Sequence, residues 1–205
     1  MQIKYVGPKP IISKTGISFD SMSDDRYTYL NIVVQLLNAL DHDYFDNKVY
    51  SYATDSKRLN DDEVLQGLQR HCGDLSEDIQ KAQDKESQEI SKDITRAKEN
   101  QNISEEEREA FIKNIEMMRS YRLQYVQNEA LYNAGVNELA NLVKKDHIDY
   151  VIVPMFQRFA AVLHSVQQKL LEQKLPVRTK MSIFEENGQL LAKMDVINTS
   201  SISYV

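Results

Sequence analysis

No proline interrupts this chain between Pro10 and Pro154, and no glycine between Gly73 and Gly135. Proline inside a helix removes a backbone donor and clashes with the preceding turn, and glycine there costs about 1 kcal/mol relative to alanine. A stretch that lacks both is free to run as long helix. Asp74–Lys145 reads as two such helices, broken only near Gln101-Asn102-Ile103.

Three capping-box patterns place the helix starts. Asn60-Asp61-Asp62-Glu63 opens a short helix, Asp61–His71, which Gly73 ends. Asp74-Leu75-Ser76-Glu77 and Ser104-Glu105-Glu106-Glu107 open the two long ones. The first long helix has a thin apolar stripe: Leu75, Ile79, Ala82, Ile90, Ile94 and Ala97. A stripe that narrow touches one neighbour along a seam. The second grows more apolar as it proceeds, from Phe111, Ile115 and Met118 to Leu139, Leu142 and Val143. The expectation is an arm spanning 74–130, polar at its tip and apolar where it joins the body of a single 1–205 domain.

The body reads as helix with small β pieces. Tyr27, Leu30, Val33, Val34, Leu37 and Leu40 recur at helical spacing after the start signal Ser23-Asp24-Asp25. A last helix is expected over Pro154–Gln173, with Pro154 in its first turn and a core face of Phe156, Phe159, Ala160, Leu163, Val166 and Leu170. Gln2–Val6 alternates as a strand would, and Ile11–Phe19 reads as a hairpin turning at Gly16. Val177–Glu185 and Gln189–Ile197 flank Asn187-Gly188, the strongest short-range hairpin signal. The fold class is therefore mainly α (α+β): a helical bundle with a long antiparallel helix hairpin and small β-hairpins near both termini. Whether the terminal β pieces share a sheet cannot be read from periodicity.

Charge is unevenly placed. The chain carries a formal net charge of −6, and residues 74–109 hold 12 acidic and 6 basic side chains. The rest of the chain is balanced. With no basic patch, neither nucleic acid nor an anionic membrane is an expected partner. The longest apolar run, Val151–Phe156, is far short of the roughly 20 residues that span a bilayer. Cys72 is alone, and the first residues have no apolar leader core, so the expected location is cytoplasmic.

Site chemistry is sparse. Asp41-His42-Asp43 is a fragment of a metal site, and a histidine at a helix C-terminus is favoured by the dipole alone. His71-Cys72 lacks the paired spacing that zinc sites use. No nucleotide-binding glycine loop, no nucleophile elbow and no Glu-x-x-His pair occurs. No residue is assigned a catalytic, cofactor-binding or metal-ligating role. The acids of 74–109 follow no calcium-loop spacing and suit a solvated helix face. Met117 and Met118 with Tyr121 and Tyr125 stand out instead, because methionine repacks readily and tyrosine pairs an apolar ring with a polar tip. They are the candidate partner-binding residues.

One stretch resembles a known group. Tyr5-Val6-Gly7-Pro8-Lys9-Pro10-Ile11-Ile12-Ser13, then Gly16-Ile17-Ser18-Phe19, then Asp25, Tyr27, Tyr29 and Leu30 resemble the opening of small uncharacterised bacterial proteins associated with motility. The resemblance covers about the first thirty residues and carries no catalytic motif. The overall plan is similar to flagellar export chaperones and co-chaperones, in architecture alone. Together these readings favour a non-enzymatic interaction module, an adaptor or chaperone-like protein with a place in flagellar assembly. The alternatives are a homodimer pairing through its long helices and a metal-binding protein using His42 and His71.

Overall fold

A computed structural model describes residues 3–6, 12–13, 16–17, 26–41, 49–51, 60–145, 150–154, 157–174 and 176–199. In chain order the elements are β1 (Ile3–Val6), β2 (Ile12–Ser13), β3 (Gly16–Ile17), α1 (Arg26–Asp41), β4 (Val49–Ser51), α2 (Asp61–Cys72) and α3 (Ser76–Glu99). Then come α4 (Glu105–Met117), α5 (Arg119–Lys145), β5 (Tyr150–Pro154), α6 (Gln157–Glu172), β6 (Val177–Glu186) and β7 (Gln189–Asn198). The chain is mainly helical with a smaller β layer, the expected class.

The β layer is more connected than separate terminal hairpins. β2 and β3 form the small N-terminal hairpin. The remaining strands make one five-stranded mixed sheet in the order β4-β1-β5-β7-β6. β1 runs parallel to both neighbours, β4 and β5, and β7 lies antiparallel between β5 and β6. β5 is the bridge between the N-terminal strand and the C-terminal hairpin.

β5 also corrects the expected start of the last helix. Pro154 ends the strand, and α6 begins at Gln157. The cause is local: Tyr150-Val151-Ile152-Val153 is a β-branched and aromatic run, which packs well on a pleated surface. β4 is likewise a strand not anticipated from the sequence. The C-terminal hairpin follows the sequence closely, since Asn187 and Gly188 both take positive φ, at 53° and 73°, as a two-residue type I′ turn requires.

The core lies between the helices and one face of this sheet. α1 is buried nearly all round, with Leu30, Ile32, Val33, Val34, Leu36 and Leu37 inside. α5 contributes Leu131, Val136, Leu139 and Val143, and α6 contributes Val162, Leu163, Val166 and Leu170. Each such side chain stabilises the fold by about 1.5–3 kcal/mol on burial. The Tyr132 hydroxyl donates to Ser165 Oγ at 2.8 Å, and its ring meets Tyr29 edge-on at 6.0 Å, so one side chain ties α5 to both α1 and α6. Leu75 belongs to this core and Ile79 packs against it, so the first turn of α3 is rooted in the body.

Candidate partner-binding site

Beyond that root, α3 and α4 pack chiefly on each other and on α5. At about 1.5 Å per residue, the 24 residues of α3 span about 36 Å. Side-chain caps fix two of the helix starts. Asn60 Oδ1 accepts from Glu63 N at 3.0 Å and Glu63 Oε2 accepts from Asn60 N at 2.9 Å, the expected box at the start of α2. Ser104 and Glu107 make the same reciprocal pair at the arm's tip, and those hydrogen bonds lower the Glu107 pKa.

The box expected at Asp74 does not form. Asp74 Oδ1 accepts from Ser76 N at 2.9 Å and Ser76 Oγ at 2.6 Å, so it closes a tight turn two residues long, and its pKa falls accordingly. Leu75 takes the N-cap position with no side-chain bond and is held by burial instead.

The seam between α3 and the returning helices mixes apolar and polar residues at three- and four-residue spacing. Ile90 and Ala97 are buried. Along the same helix stand Gln83, Glu86 and Asp93, which the apolar-stripe reading passed over. Gln83 Nε2 donates to Gln127 Oε1 at 3.1 Å. Arg122 donates from Nε to Glu86 at 2.5 Å and from Nη1 to Asp93 at 2.9 Å. The Asp93 and Glu86 carboxylates hold the guanidinium charge, with Asp93 the larger influence, and raise its pKa further. Arg108 Nη2 donates to Asn100 O at 3.0 Å and closes the end of α3. These polar pairs fix which turn of α3 faces which turn of α5, because a slip would leave half-buried charges unmatched.

The single helix expected over Ser104–Lys145 is interrupted at one residue, Met118. α4 buries no residue at all. Where it faces α3, an open groove of about 530 Å³ lies between Asp93, Arg96, Ala97, Ile103, Phe111 and Ile115. Beside the groove runs a row of exposed apolar side chains. Met117 is 66% exposed, Met118 44%, Tyr121 64%, Tyr125 42% and Phe111 57%. Phe111, Met118 and Tyr125 are seven residues apart with Tyr121 between, so they share one helix side and Met117 flanks it.

The four sequence-chosen residues thus lie together on the outside of the arm. Phe111, read in the sequence only as the start of this helix's apolar series, lines the groove and extends the row outward. Its seven-residue offset from Met118 was the available signal.

The histidine readings fare differently. His71 Nε2 lies 3.0 Å from Asn38 Oδ1, a bond that ties α2 to α1. His42 lies outside the described residues. Among the described residues no three His, Cys, Asp or Glu side chains gather as a metal site would require. The Cys72 thiol is half-buried, and burial with the nearby Glu138 charge pushes its pKa up to about 11. No described helix is long and apolar enough to cross a membrane. Comparison of the chain with family models, curated proteins and solved structures finds no match.

Proposed function

We propose that this chain is a non-enzymatic interaction module, adaptor or chaperone-like, that holds another protein against the outer side of its arm. The row Phe111–Met118–Tyr121–Tyr125 beside the groove carries this reading. Large apolar side chains on a surface helix are unfavourable in water, and a contiguous row of them marks a contact surface. An amphipathic helix from the partner fits best, since helix-in-groove binding uses anchors at this spacing. The acids of 74–109 favour a partner helix with basic flanks. A cytoplasmic location belongs to the same proposal. Flagellar assembly is the setting suggested by the N-terminal resemblance.

The test removes the arm without touching the core. Leu75 and Ile79 must stay, because both pack with the body. Replacing residues 84–126 by a short Gly-Ser linker joins Gln83 to Gln127, which already face each other. The shortened protein is expected to fold, by circular dichroism and cooperative melting. It is also expected to lose the partner that full-length protein recovers from its native host. A folded, shortened protein that still recovers that partner would refute the proposal.

A further inference from the structure

The second exposed surface of the molecule is a sheet edge. β6 forms one outer edge, and among the described residues its only ladder is the one to β7. It is ten residues long and carries no proline. Its pairing with β7 runs without a bulge from Val177 to Glu186. Natural sheets blunt such edges with proline, bulges, short strands or charged side chains. β6 has only the last of these, placed toward its two ends, and Ile183, near its middle on the helix-covered side of the sheet, is 58% exposed.

The charges on this strand are arranged by end. Arg178 and Lys180 stand at the start, and Glu185 and Glu186 at the finish. A strand with that order is complementary to its own reverse. An antiparallel pair of identical strands has a two-fold axis perpendicular to the sheet, so each face continues as the same face. Residues of equal parity must then oppose each other, because side chains alternate faces. Centring the axis on Ser182 puts Arg178 opposite Glu186 and Lys180 opposite the Phe184 ring. It puts Met181 opposite Ile183. Opposite charges, a cation over a ring and an apolar pair are all favourable cross-strand neighbours.

We propose that β6 pairs with β6 of a second copy of this chain, antiparallel about Ser182, joining the two five-stranded sheets into one and leaving both arms free. The helices of both copies lie on the same side of the joined sheet. Leu171, exposed on α6 one turn after Gln167, adds apolar surface there, since Gln167 Nε2 donates to Thr179 Oγ1 of β6 at 3.1 Å.

Light scattering on eluting protein tests the pairing. Wild type is expected to have twice the mass of one chain at micromolar concentration. Ser182→Glu sets two carboxylates against each other on the axis, while within one chain it faces Lys193 and is tolerated there. It is expected to elute as a folded monomer. Arg178→Glu is expected to shift the protein toward monomer, and Arg178→Glu with Glu186→Arg to restore the dimer. Met118→Ser with Tyr121→Ser should leave the dimer intact, which separates this interface from the arm. A monomeric wild type, a dimeric Ser182→Glu protein, a double charge swap that stays monomeric, or loss of the dimer with the arm variant would each overturn the proposal.

Discussion

At Gly135, α5 passes so close to α1 that an added Cβ would overlap Val33 Cγ1, with Leu68 Cδ2 at 3.0 Å. Val33 is fully buried and β-branched, so it has no free rotamer to move into. Gly135→Ala should therefore lower stability by about 1–3 kcal/mol in urea denaturation, despite the gain of about 1 kcal/mol in helix propensity. A more stable variant would show that the helices can separate at no cost. Cys72 offers a second check at this scale. Its folded pKa of about 11 lies above the ordinary thiol value, so the folded state holds the proton more tightly. That contribution to stability is complete below the unfolded pKa and is lost as pH rises through about 11. Alkylation of Cys72 in folded protein should be slow at pH 8 and become fast on unfolding. Fast labelling of native protein at that pH would contradict the burial. Of these residue-level features, Gly135 as a packing contact was invisible in the sequence, because it depends on which helix lies alongside.

At the scale of elements, Arg122 is what distinguishes the arm from a plain coiled coil. Arg122→Met would leave Glu86 and Asp93 half-buried without their shared cation. The expected cost is about 1–2 kcal/mol, felt within the hairpin and little in the body. Amide exchange should report it as faster opening of α3 and the first half of α5, with residues 131–143 unchanged. Even in wild type, α4 should exchange faster than the base of α5, since it buries no residue. Uniform exchange along the arm would refute both statements. Helix starts at Asn60 and Ser104 were legible because a capping box is a local event of four residues. Asp74 has the same pattern, yet its carboxylate turns to Ser76 while Leu75 takes the N-cap position. The interruption at Met118 has no glycine or proline to announce it. The polar seam of Gln83, Glu86 and Asp93 was hidden for a related reason: only their partners much further along the chain, Gln127 for Gln83 and Arg122 for the two acids, draw those residues into the seam.

Over the whole molecule, one strand decides the architecture. β5 joins the N-terminal strand to the C-terminal hairpin, and its register with β7, Val151 opposite Met194, places both on the core side. The hairpin turn at Asn187-Gly188 was readable from two residues, but sheet order was not, because pairing between β1 and β5 spans most of the chain. The candidate surface was partly legible for the opposite reason. Met117, Met118, Tyr121 and Tyr125 lie within one helical stretch, so a local pattern placed them together. Their exposure depends on α4 and the first half of α5 having α3 as their main neighbour, which a local pattern does not show. Among the described residues, the exposed large apolar side chains fall in two groups, one on the arm and one on the C-terminal hairpin and the end of α6.

The most direct measurement of the arm's role is partner recovery by full-length protein carrying Phe111→Ser, Met118→Ser and Tyr121→Ser, beside wild type. All three side chains are exposed, so folding and melting should be little changed. The expected result is loss of about tenfold or more of the partner that wild type retains, as removal of buried interface anchors produces. Equal recovery by the two folded proteins would contradict the assignment of this surface as the recognition site.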